Sequence, residues 1–334
     1  MAPSSAMFPA LSAIQAARTL LKRHLPETRL VPAPWLSAQT GAQVSLKLET
    51  GLPTGSFKPR GALYALAVNL ARRPIGEVIA SRTGNHGAAV AYAGQRLGVA
   101  ARIFLPANPN PVKRAQVAAL GATITESGRD ISDAVAEASR YARGDGVYYL
   151  SDATDPDLPA GPATIACEIL EQAPDTDVIY VPMGDTALIR GIGAAARFLA
   201  PAVRVIGVQA ESAPAYARSW TEGRVVTTPT CDTVADGLAT RTPEADNVRA
   251  IRELVADVQL VSDAQMLAAI WHLLLEEHLV AEPAGAATTA ALLQSRPLPG
   301  RRIVLLVTGA NIAPDALRRA AHVQAAAIPT GRTL

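Results

Sequence analysis

The stretch GEVIASRTGNHGAAVAYAGQRLGVAARIFL, residues 76–105, carries the pattern that decides the fold. It begins with a short apolar run at 76–80, passes through a polar loop into an alanine-rich segment at 86–98, and ends with a second apolar run at 101–105. The short runs predict strands, and the longer segment between them predicts a helix. A strand, a helix and a strand in this order predict a βαβ unit, in which the two strands are parallel.

The alternation of short apolar runs and longer helical segments continues along most of the chain and restarts after residue 150. Because 334 residues exceed what one compact core usually holds, the restart predicts two α/β lobes. In such folds, ligands bind in a cleft at the carboxyl ends of the strands. Further predicted strands are 122–125, 147–150, 177–182, 203–208 and 302–307, and further predicted helices begin at 108–111 or span 131–143, 163–172, 188–199 and 263–278, the last capped by Ser262.

Composition and motif spacing exclude several classes of protein. Charged residues make up 18% of the chain, the formal net charge is +2, and no long basic or acidic run occurs, so we expect no nucleic-acid partner. Cys167 and Cys231 form no CxxC pair, and the histidines show no metal-binding spacing. No stretch approaches the roughly 18 apolar residues of a membrane span, and no signal-peptide core develops. We therefore expect a cytoplasmic protein without a membrane partner.

Four loops at the ends of predicted elements hold residue types that bind small ligands. A lysine in a desolvated cleft can lose its proton and condense with an aldehyde, which makes Lys58 a candidate nucleophile. Backbone N–H groups at a helix N-terminus bind anions, so the loop at 81–87 suits a carboxylate and the loop at 183–187 suits a phosphate. Taken alone, each loop also fits an ordinary turn, with Lys58 solvated and His86 a capped surface residue. The loops are 54–61 (TGSFKPRG), 81–87 (SRTGNHG), 183–187 (MGDTA) and 308–311 (TGAN).

The combination and order of these segments resemble the fold type II family of pyridoxal-phosphate enzymes, in particular the serine/threonine dehydratases and serine racemases. The resemblance runs from about Leu30 to Asn311. It implies an α/β fold like that of tryptophan synthase β, with two three-layer αβα lobes and mostly parallel sheets. The large cofactor-binding domain would comprise 1–50 and 151–334, and the small domain with the substrate-carboxylate loop 51–150. The matching segments are KLETGLPTGSFKPRGA (47–62), RTGNHG (82–87), PVKRAQVAALGA (111–122), TVADGLATRTP (233–243) and AEPAGAA (281–287).

The resemblance also assigns roles to individual residues. Lys58 matches the lysine that binds pyridoxal 5'-phosphate covalently and moves the α-proton, and it is one of two catalytic candidates with Thr83. The predicted cofactor contacts are Phe57 beside the ring, Asn85 at its phenolic oxygen, Thr308 at its pyridine nitrogen, Glu282 near the ring, and Gly184, Asp185, Thr186, Ala187 and Leu188 around the phosphate. The predicted substrate contacts are Ser81, Arg82, Thr83, Gly84, Asn85 and His86.

These residues predict a lyase that eliminates water from a small β-hydroxy-α-amino acid of the threonine or serine type, giving a 2-oxo acid and ammonia. A neutral hydroxyl at Thr308 leaves the ring a weaker electron sink than a carboxylate would, which disfavours an aminotransferase. Thr83 stands where the racemases carry a serine, so a lyase is favoured over a racemase. Several alternatives stay open: hydroxyaspartate dehydration, racemisation, β-replacement, threonine-synthase-like chemistry, and non-catalytic binding of the cofactor or an amino acid.

The chain departs from the family pattern at three places. The phosphate loop, typically four glycines, reads GDTA at 184–187, so we expect its backbone not to use glycine-only dihedral angles and its carboxylate to point away from the phosphate. Arg82 is either solvent-facing or a partner for a second substrate carboxylate, as in 3-hydroxyaspartate. Glu211 and the carbonyl of Ala215 match a family cation site whose third acidic ligand is replaced by Ala217. We therefore predict no bound metal.

One competing interpretation is a dinucleotide-binding domain, because residues 191–196 (GIGAAA) have GxGxxA spacing. These glycines fall inside a predicted helix rather than at the strand–helix turn where a pyrophosphate binds, which disfavours that function. The resemblance implies a homodimer. Because the chain ends soon after the last loop, we expect no additional C-terminal regulatory domain.

Overall fold

The structure is a computed structural model that describes residues 7–81, 84–107, 111–129 and 131–327. Strands and helices alternate along these residues, as the sequence predicts. The strands are β1 (Arg29–Pro32), β2 (Gln43–Leu48), β3 (Glu77–Ala80), β4 (Ala100–Leu105), β5 (Thr123–Glu126), β6 (Val147–Tyr149), β7 (Val178–Pro182), β8 (Arg204–Ala210), β9 (Asp257–Val261) and β10 (Arg302–Val307). The helices are α1 (Leu11–Leu21), α2 (Pro34–Thr40), α3 (Lys58–Arg72), α4 (Asn85–Leu97), α5 (Pro111–Ala119), α6 (Ile131–Tyr141), α7 (Ala160–Gln172), α8 (Ala187–Leu199), α9 (Ala215–Glu222), α10 (Ala245–Leu254), α11 (Asp263–Leu275), α12 (Pro283–Gln294) and α13 (Pro314–Ala327).

The larger sheet has six strands in the order β1-β2-β10-β7-β8-β9. Only β1 is antiparallel to its neighbour, and the other pairs are parallel. All five residues of β7 are buried, as expected for a central strand covered on both faces. One face packs against α7 and α8, with Ile165 and Ile189 in its core, and the other against α11 and α12, with Ile270 and Leu292. This is a three-layer αβα lobe.

The smaller sheet has four parallel strands in the order β5-β4-β3-β6. Helices α3 and α4 cover one face through Leu63 and Val90, and α6 covers the other, where Phe104 meets Ala134. The prediction of an α/β fold with two mostly parallel sheets is confirmed. The strands of the smaller sheet all lie between residues 77 and 149. On this distribution we keep the predicted domain boundaries near residues 50 and 150 as a proposal.

Helix α3 begins at Lys58, so the candidate nucleophile lies in the first turn of a helix. A buried ion-pair network holds this turn against the larger sheet. The Arg60 guanidinium donates to Glu49 at 2.7 Å and to Glu168 of α7 at 2.6 Å, and Lys47 of β2 donates to Glu168 at 2.7 Å. Each of these charges therefore has a partner of opposite sign, which offsets the cost of burying it.

Two glycines of the GxGxxA segment lie inside α8, as predicted. A Cβ atom at Gly191 would collide with the carbonyl oxygen of Pro159, at the start of α7. A Cβ atom at Gly193 would lie 2.8 Å from that of Leu254. These glycines therefore allow close helix packing and do not form a pyrophosphate turn.

Other predicted elements differ in their bounds. The helix predicted over 263–278 is α11, which ends at Leu275, and His278 then adopts a positive φ of 57° that no helix residue has. Its predicted N-cap, Ser262, forms a capping box with Gln265. Residues 108–110 of the predicted start of α5 lie outside the described residues. No described helix has the length and apolar character that crossing a membrane requires.

Candidate active site

A cavity of about 860 Å³ lies between the two sheets, a size that suits a cofactor with a small substrate. It brings together residues of all four loops that the sequence singled out. Ser81 does not line it, because its hydroxyl is hydrogen-bonded to the phenol of Tyr149. Arg82 and Thr83 lie outside the described residues. The predicted residues that line the cavity are Phe57, Lys58, Gly84, Asn85, His86, Gly184, Asp185, Thr186, Ala187, Leu188, Glu282 and Thr308.

The Lys58 amine faces this cavity and forms an ion pair there. Its Nζ lies 3.2 Å from Oδ2 of Asp152 and 5.6 Å from the centre of the Phe57 ring. The Lys58 side chain is 20% exposed and that of Asp152 is 9% exposed. No role was predicted for Asp152. Its position just after β6, at the carboxyl end of a parallel strand, is the signal that could have identified it.

Asn85, the first residue of α4, lies in a hydrogen-bonded row with Asn311 and Glu282. Its Nδ2 donates to Oε1 of Glu282 at 2.6 Å, and its Oδ1 accepts from Nδ2 of Asn311 at 2.7 Å. An amide nitrogen carries two hydrogens, so one donor of Asn85 remains for a ligand oxygen. Asn311 also donates to the carbonyl of Thr54. The row therefore orients Asn85 from both sides.

The loop after β10 is joined to the loop before α3 by backbone hydrogen bonds. The N–H of Phe57 donates to the carbonyl of Thr308 at 3.0 Å, and the N–H of Ala310 donates to that of Gly55 at 2.9 Å. Thr308 is buried at the end of its strand. Two segments that are about 250 residues apart in the chain thus form one unit beside Lys58.

The predicted phosphate loop lies at the N-terminus of α8. A Cβ atom at Gly184 would collide with the carbonyl oxygen of Gly237, which explains the glycine. The expectation that this loop avoids glycine-like dihedral angles is wrong at Thr186, which has φ 70° and ψ −6°. This conformation costs a residue with a side chain roughly 1–2 kcal/mol. The buried Thr186 hydroxyl has no hydrogen-bond partner among the described residues.

Two charged residues flank this loop. The Asp185 carboxylate accepts a hydrogen bond from the Thr240 hydroxyl at 2.9 Å. Arg190 is buried one turn into α8, and within the described chain its guanidinium donates to the backbone carbonyls of Met7 and Ala153. Burial lowers the pKa of Arg190 to about 10. A buried positive charge without a carboxylate hydrogen-bond partner among the described residues therefore lies on α8, outside the lining of the cavity.

These features fit pyridoxal phosphate. The N-terminus of α8 offers backbone N–H groups to an anion, and the unpaired hydroxyl of Thr186 offers a further donor. Lys58 provides an amine, while Asn85 and Thr308 provide polar groups around the same space. Among the described residues, no cluster of three potential metal-ligating side chains occurs.

Comparison with known proteins agrees with this geometry. The chain belongs to the family of pyridoxal-phosphate dependent enzymes, whose sequence model matches residues 21–309. It is 33% identical over 302 residues to the L-threonine ammonia-lyase of Thermotoga maritima, covering 90% of this chain and 75% of the relative. It is 31% identical over 306 residues to the catabolic L-threonine dehydratase of Escherichia coli strain K12, covering 91% and 93%.

Solved structures resemble the whole fold. The processed form of threonine deaminase isoform 2 from Solanum lycopersicum matches with a TM-score of 0.88 and 30% identity, covering 95% of this chain and 87% of the other. Maize serine racemase matches with a TM-score of 0.86 and 27% identity, covering 95% and 98%. The predicted family, fold and cofactor are therefore confirmed.

Proposed function

We propose that this protein is a pyridoxal-phosphate-dependent ammonia-lyase that removes water from threonine or serine to give a 2-oxo acid and ammonia. The observation that carries the proposal is the position of the Lys58 amine, in a cavity that the N-terminus of α8, Asn85 and Thr308 also line. The threonine ammonia-lyase and dehydratase relatives match about nine-tenths of the chain. They bear out the predicted enzyme class.

Bound pyridoxal phosphate supplies an electron sink that makes the α-hydrogen of an attached amino acid acidic. We assign the binding of its phosphate to the N-terminus of α8 and the Thr186 hydroxyl. Phe57 would pack beside the ring, and Asn85 and Thr308 would serve as partners of its phenolic oxygen and pyridine nitrogen. These assignments rest on the family resemblance and are supported by the shared cavity.

With the cofactor bound, Lys58 would be the base that accepts the α-proton of the substrate. The backbone at the start of α4, residues 84–86, binds the substrate carboxylate, because the N–H groups of a helix N-terminus attract anions. His86 is buried and its Nε2 lies 2.9 Å from the carbonyl oxygen of Leu150, which holds this end of the helix in place. Roles for Ser81, Arg82 and Thr83 rest on the resemblance alone.

The charges of the cavity favour a substrate with an uncharged side chain. Among its described lining residues, Lys58 is the only lysine or arginine. A second substrate carboxylate would meet like charges at short range, which is unfavourable in a partly desolvated site. Within the described lining, threonine and serine therefore fit better than 3-hydroxyaspartate; Arg82, the candidate partner of a second carboxylate, lies outside the described residues. The acidic residues that line the cavity are Asp152, Asp185, Asp236 and Glu282.

The experiment incubates the purified holoenzyme with threonine, serine and 3-hydroxyaspartate in turn and measures the release of 2-oxo acid and ammonia. We expect kcat/KM for threonine or serine to be at least about 10-fold above that for 3-hydroxyaspartate. Lys58→Ala should abolish release, and borohydride should remove both the activity and an absorption band near ~410–420 nm. Release that persists in the Lys58 variant would disprove the assignment.

A homodimer and a cytoplasmic location are also proposed, on the family resemblance and the sequence composition. Light scattering coupled to gel filtration tests the first. A mass of twice the 34.8 kDa chain is expected, and a mass of one chain would contradict it.

A further inference from the structure

The Asp152 carboxylate lies beside the proposed catalytic lysine, and neither the sequence motifs nor the proposed reaction uses it. Its Oδ2 is 3.2 Å from Lys58 Nζ. The side chain is buried and lines the same cavity as Asn85 and Glu282. Burying a carboxylate costs free energy unless an opposite charge compensates it, and the lysine amine provides such a charge.

The turn that carries Asp152 is held from both sides. Before it, the His86 ring contacts the carbonyl of Leu150 at 2.9 Å. After it, the carbonyl of Ala153 accepts a hydrogen bond from Asn247 of α10 at 3.0 Å. The first contact comes from the smaller sheet's helix and the second from the larger lobe. The carboxylate is therefore placed by the fold and not by its contact with the lysine alone.

We propose that Asp152 is a positioning residue for the reaction, which orients Lys58 Nζ toward the substrate α-carbon and stabilises the charge that Nζ gains with the α-proton. This inference rests on the proposed function, since it assumes that Lys58 takes this proton. A lysine has a flexible four-carbon stem, so a fixed hydrogen-bond acceptor restricts where its amine can lie.

The balance of the step shows what the carboxylate contributes. The Cα–H bond breaks, and its proton forms a new N–H bond on Nζ. The electron pair forms the Cα=Cβ bond as the Cβ–O bond breaks, and the oxygen leaves as water after taking a proton from solvent, to which Nζ later returns the proton it has gained. Nζ thus changes from neutral amine to ammonium beside Asp152, and an opposite charge within about 4–6 Å favours the charged form.

Other titratable groups around the cavity are engaged elsewhere. His86 faces a backbone carbonyl, Glu282 accepts from Asn85, and Asp185 accepts from a threonine. Within the described part of the chain, Asp152 is the only carboxylate at ion-pair distance from the Lys58 amine. The remaining titratable side chains of the lining are Cys231 and Asp236, and Arg190 lies behind the turn on α8.

The test compares the holoenzyme with Asp152→Asn, which keeps the size and an acceptor but removes the charge. Exchange of the α-hydrogen of alanine in D₂O, followed by NMR, reports the Lys58 step alone, because alanine has no β-leaving group. We expect this exchange, and kcat with threonine, to fall about 10- to 100-fold, with KM changed by less than about 3-fold.

The pH profile of the exchange separates this role from a structural one. Lys58 must be neutral to accept a proton, and Asp152→Asn removes the negative charge that lies 3.2 Å from its Nζ. The acidic limb of the profile should therefore move about one pH unit lower in Asp152→Asn. Exchange within about twofold of the unchanged enzyme overturns the proposal. A loss of exchange that merely parallels a loss of bound cofactor, with the acidic limb of the pH profile unmoved, also overturns the proposal.

Two further variants complete the experiment. Asp152→Glu keeps the charge, so it should exchange the α-hydrogen faster than Asp152→Asn and leave the acidic limb of the pH profile unmoved. If Asp152→Asn does not fold, the comparison of Asp152→Glu with the unchanged enzyme replaces it. Asp157→Asn is the matched control, an aspartate of the same loop that pairs with Arg72, and it should exchange normally. If the unchanged enzyme exchanges the α-hydrogen of alanine but releases no ammonia from threonine or serine, the proposed lyase activity is wrong, and the exchange rates still test the role of Asp152. No exchange in the unchanged enzyme overturns the Asp152 proposal.

Discussion

At the scale of single residues, Thr186 combines two unfavourable features. Its backbone is left-handed, with φ 70°, although it carries a β-branched side chain. Its hydroxyl is buried without a hydrogen-bond partner in the described chain. Such strain persists where the surroundings impose it, and it is common at ligand sites. A phosphate at the N-terminus of α8 would satisfy the hydroxyl, which gives this arrangement a function.

Thr186→Val tests this explanation, because valine keeps the shape and the branching but removes the hydroxyl. We expect the cofactor-free protein to gain about 1 kcal/mol of unfolding free energy, since an unsatisfied buried group is removed. Its affinity for pyridoxal phosphate should fall about 10-fold, since a hydrogen bond to a charged group is lost. Urea unfolding and equilibrium titration measure the two effects. Thr186→Ser should retain the affinity, and an unchanged affinity in the valine variant would contradict the assignment.

At the scale of elements, the position of α3 depends on the ion pairs beneath its first turn. Arg60 lies two residues after Lys58 and is bound by Glu49 and Glu168. Burial raises the pKa of Glu168, but its bonds to Arg60 and Lys47 outweigh this and hold the pKa below its ordinary value. The helix that carries the proposed nucleophile is thus anchored to the larger lobe.

Glu168→Gln should lower the free energy of unfolding by about 3 kcal/mol, because two buried cations lose the charge that compensates them. The pKa of Glu168 is lower in the folded protein, so its contribution is present above the ordinary glutamate range and is lost as the pH falls. The difference between the two proteins should therefore narrow in acid. Urea unfolding at several pH values measures it. Glu171→Gln, on the exposed side of the same helix, should change stability by less than about 1 kcal/mol.

Helix α8 depends on glycine for its approach to α7. Gly191→Ala should lower the free energy of unfolding by about 1–3 kcal/mol, because the added methyl would overlap the carbonyl of Pro159. Thermal unfolding measures the loss. Gly51→Ala is the control, since a Cβ atom there meets nothing within 4 Å. If Gly191→Ala were as stable as the unchanged protein, the packing role would be wrong.

At the scale of the whole molecule, the cavity is built from loops of both sheets. A ligand that contacts residues 57–58, 84–86, 184–188 and 308 joins segments of both lobes. Its binding free energy then adds to the stability of both lobes, since the unfolded chain does not bind it.

Saturating pyridoxal phosphate, at 100 times its dissociation constant, should raise the free energy of unfolding by about 2.7 kcal/mol. Hydrogen exchange followed by mass spectrometry should show slower exchange in the loops of both lobes. Lys58→Ala should weaken this protection, because the covalent attachment is removed. Protection confined to one lobe would show that the ligand does not bridge the cavity.

The sequence by itself determined the α/β class, seven of the ten described strands and the loops that line the cavity, whereas β1, β2 and β9 were not predicted. Hydrophobic periodicity and turn-forming residues depend only on neighbours in the sequence, so a stretch such as 76–105 predicts its strands and helix without a structure. The family segments around Lys58 and Asn85 are local as well. The first and last residues of the elements were predicted less accurately. The helix predicted over 263–278 ends at Leu275, because tertiary packing decides where the last turn of a helix ends.

Only the tertiary structure decided which distant groups meet. Asp152 lies 94 residues from Lys58, and no spacing rule connects them. The left-handed Thr186 was wrongly excluded, because the intrinsic preference of threonine is against a positive φ and the folded loop adopts one nevertheless. Local preferences are worth about 1 kcal/mol each, whereas burial and charge compensation depend on neighbours that the folded chain brings together.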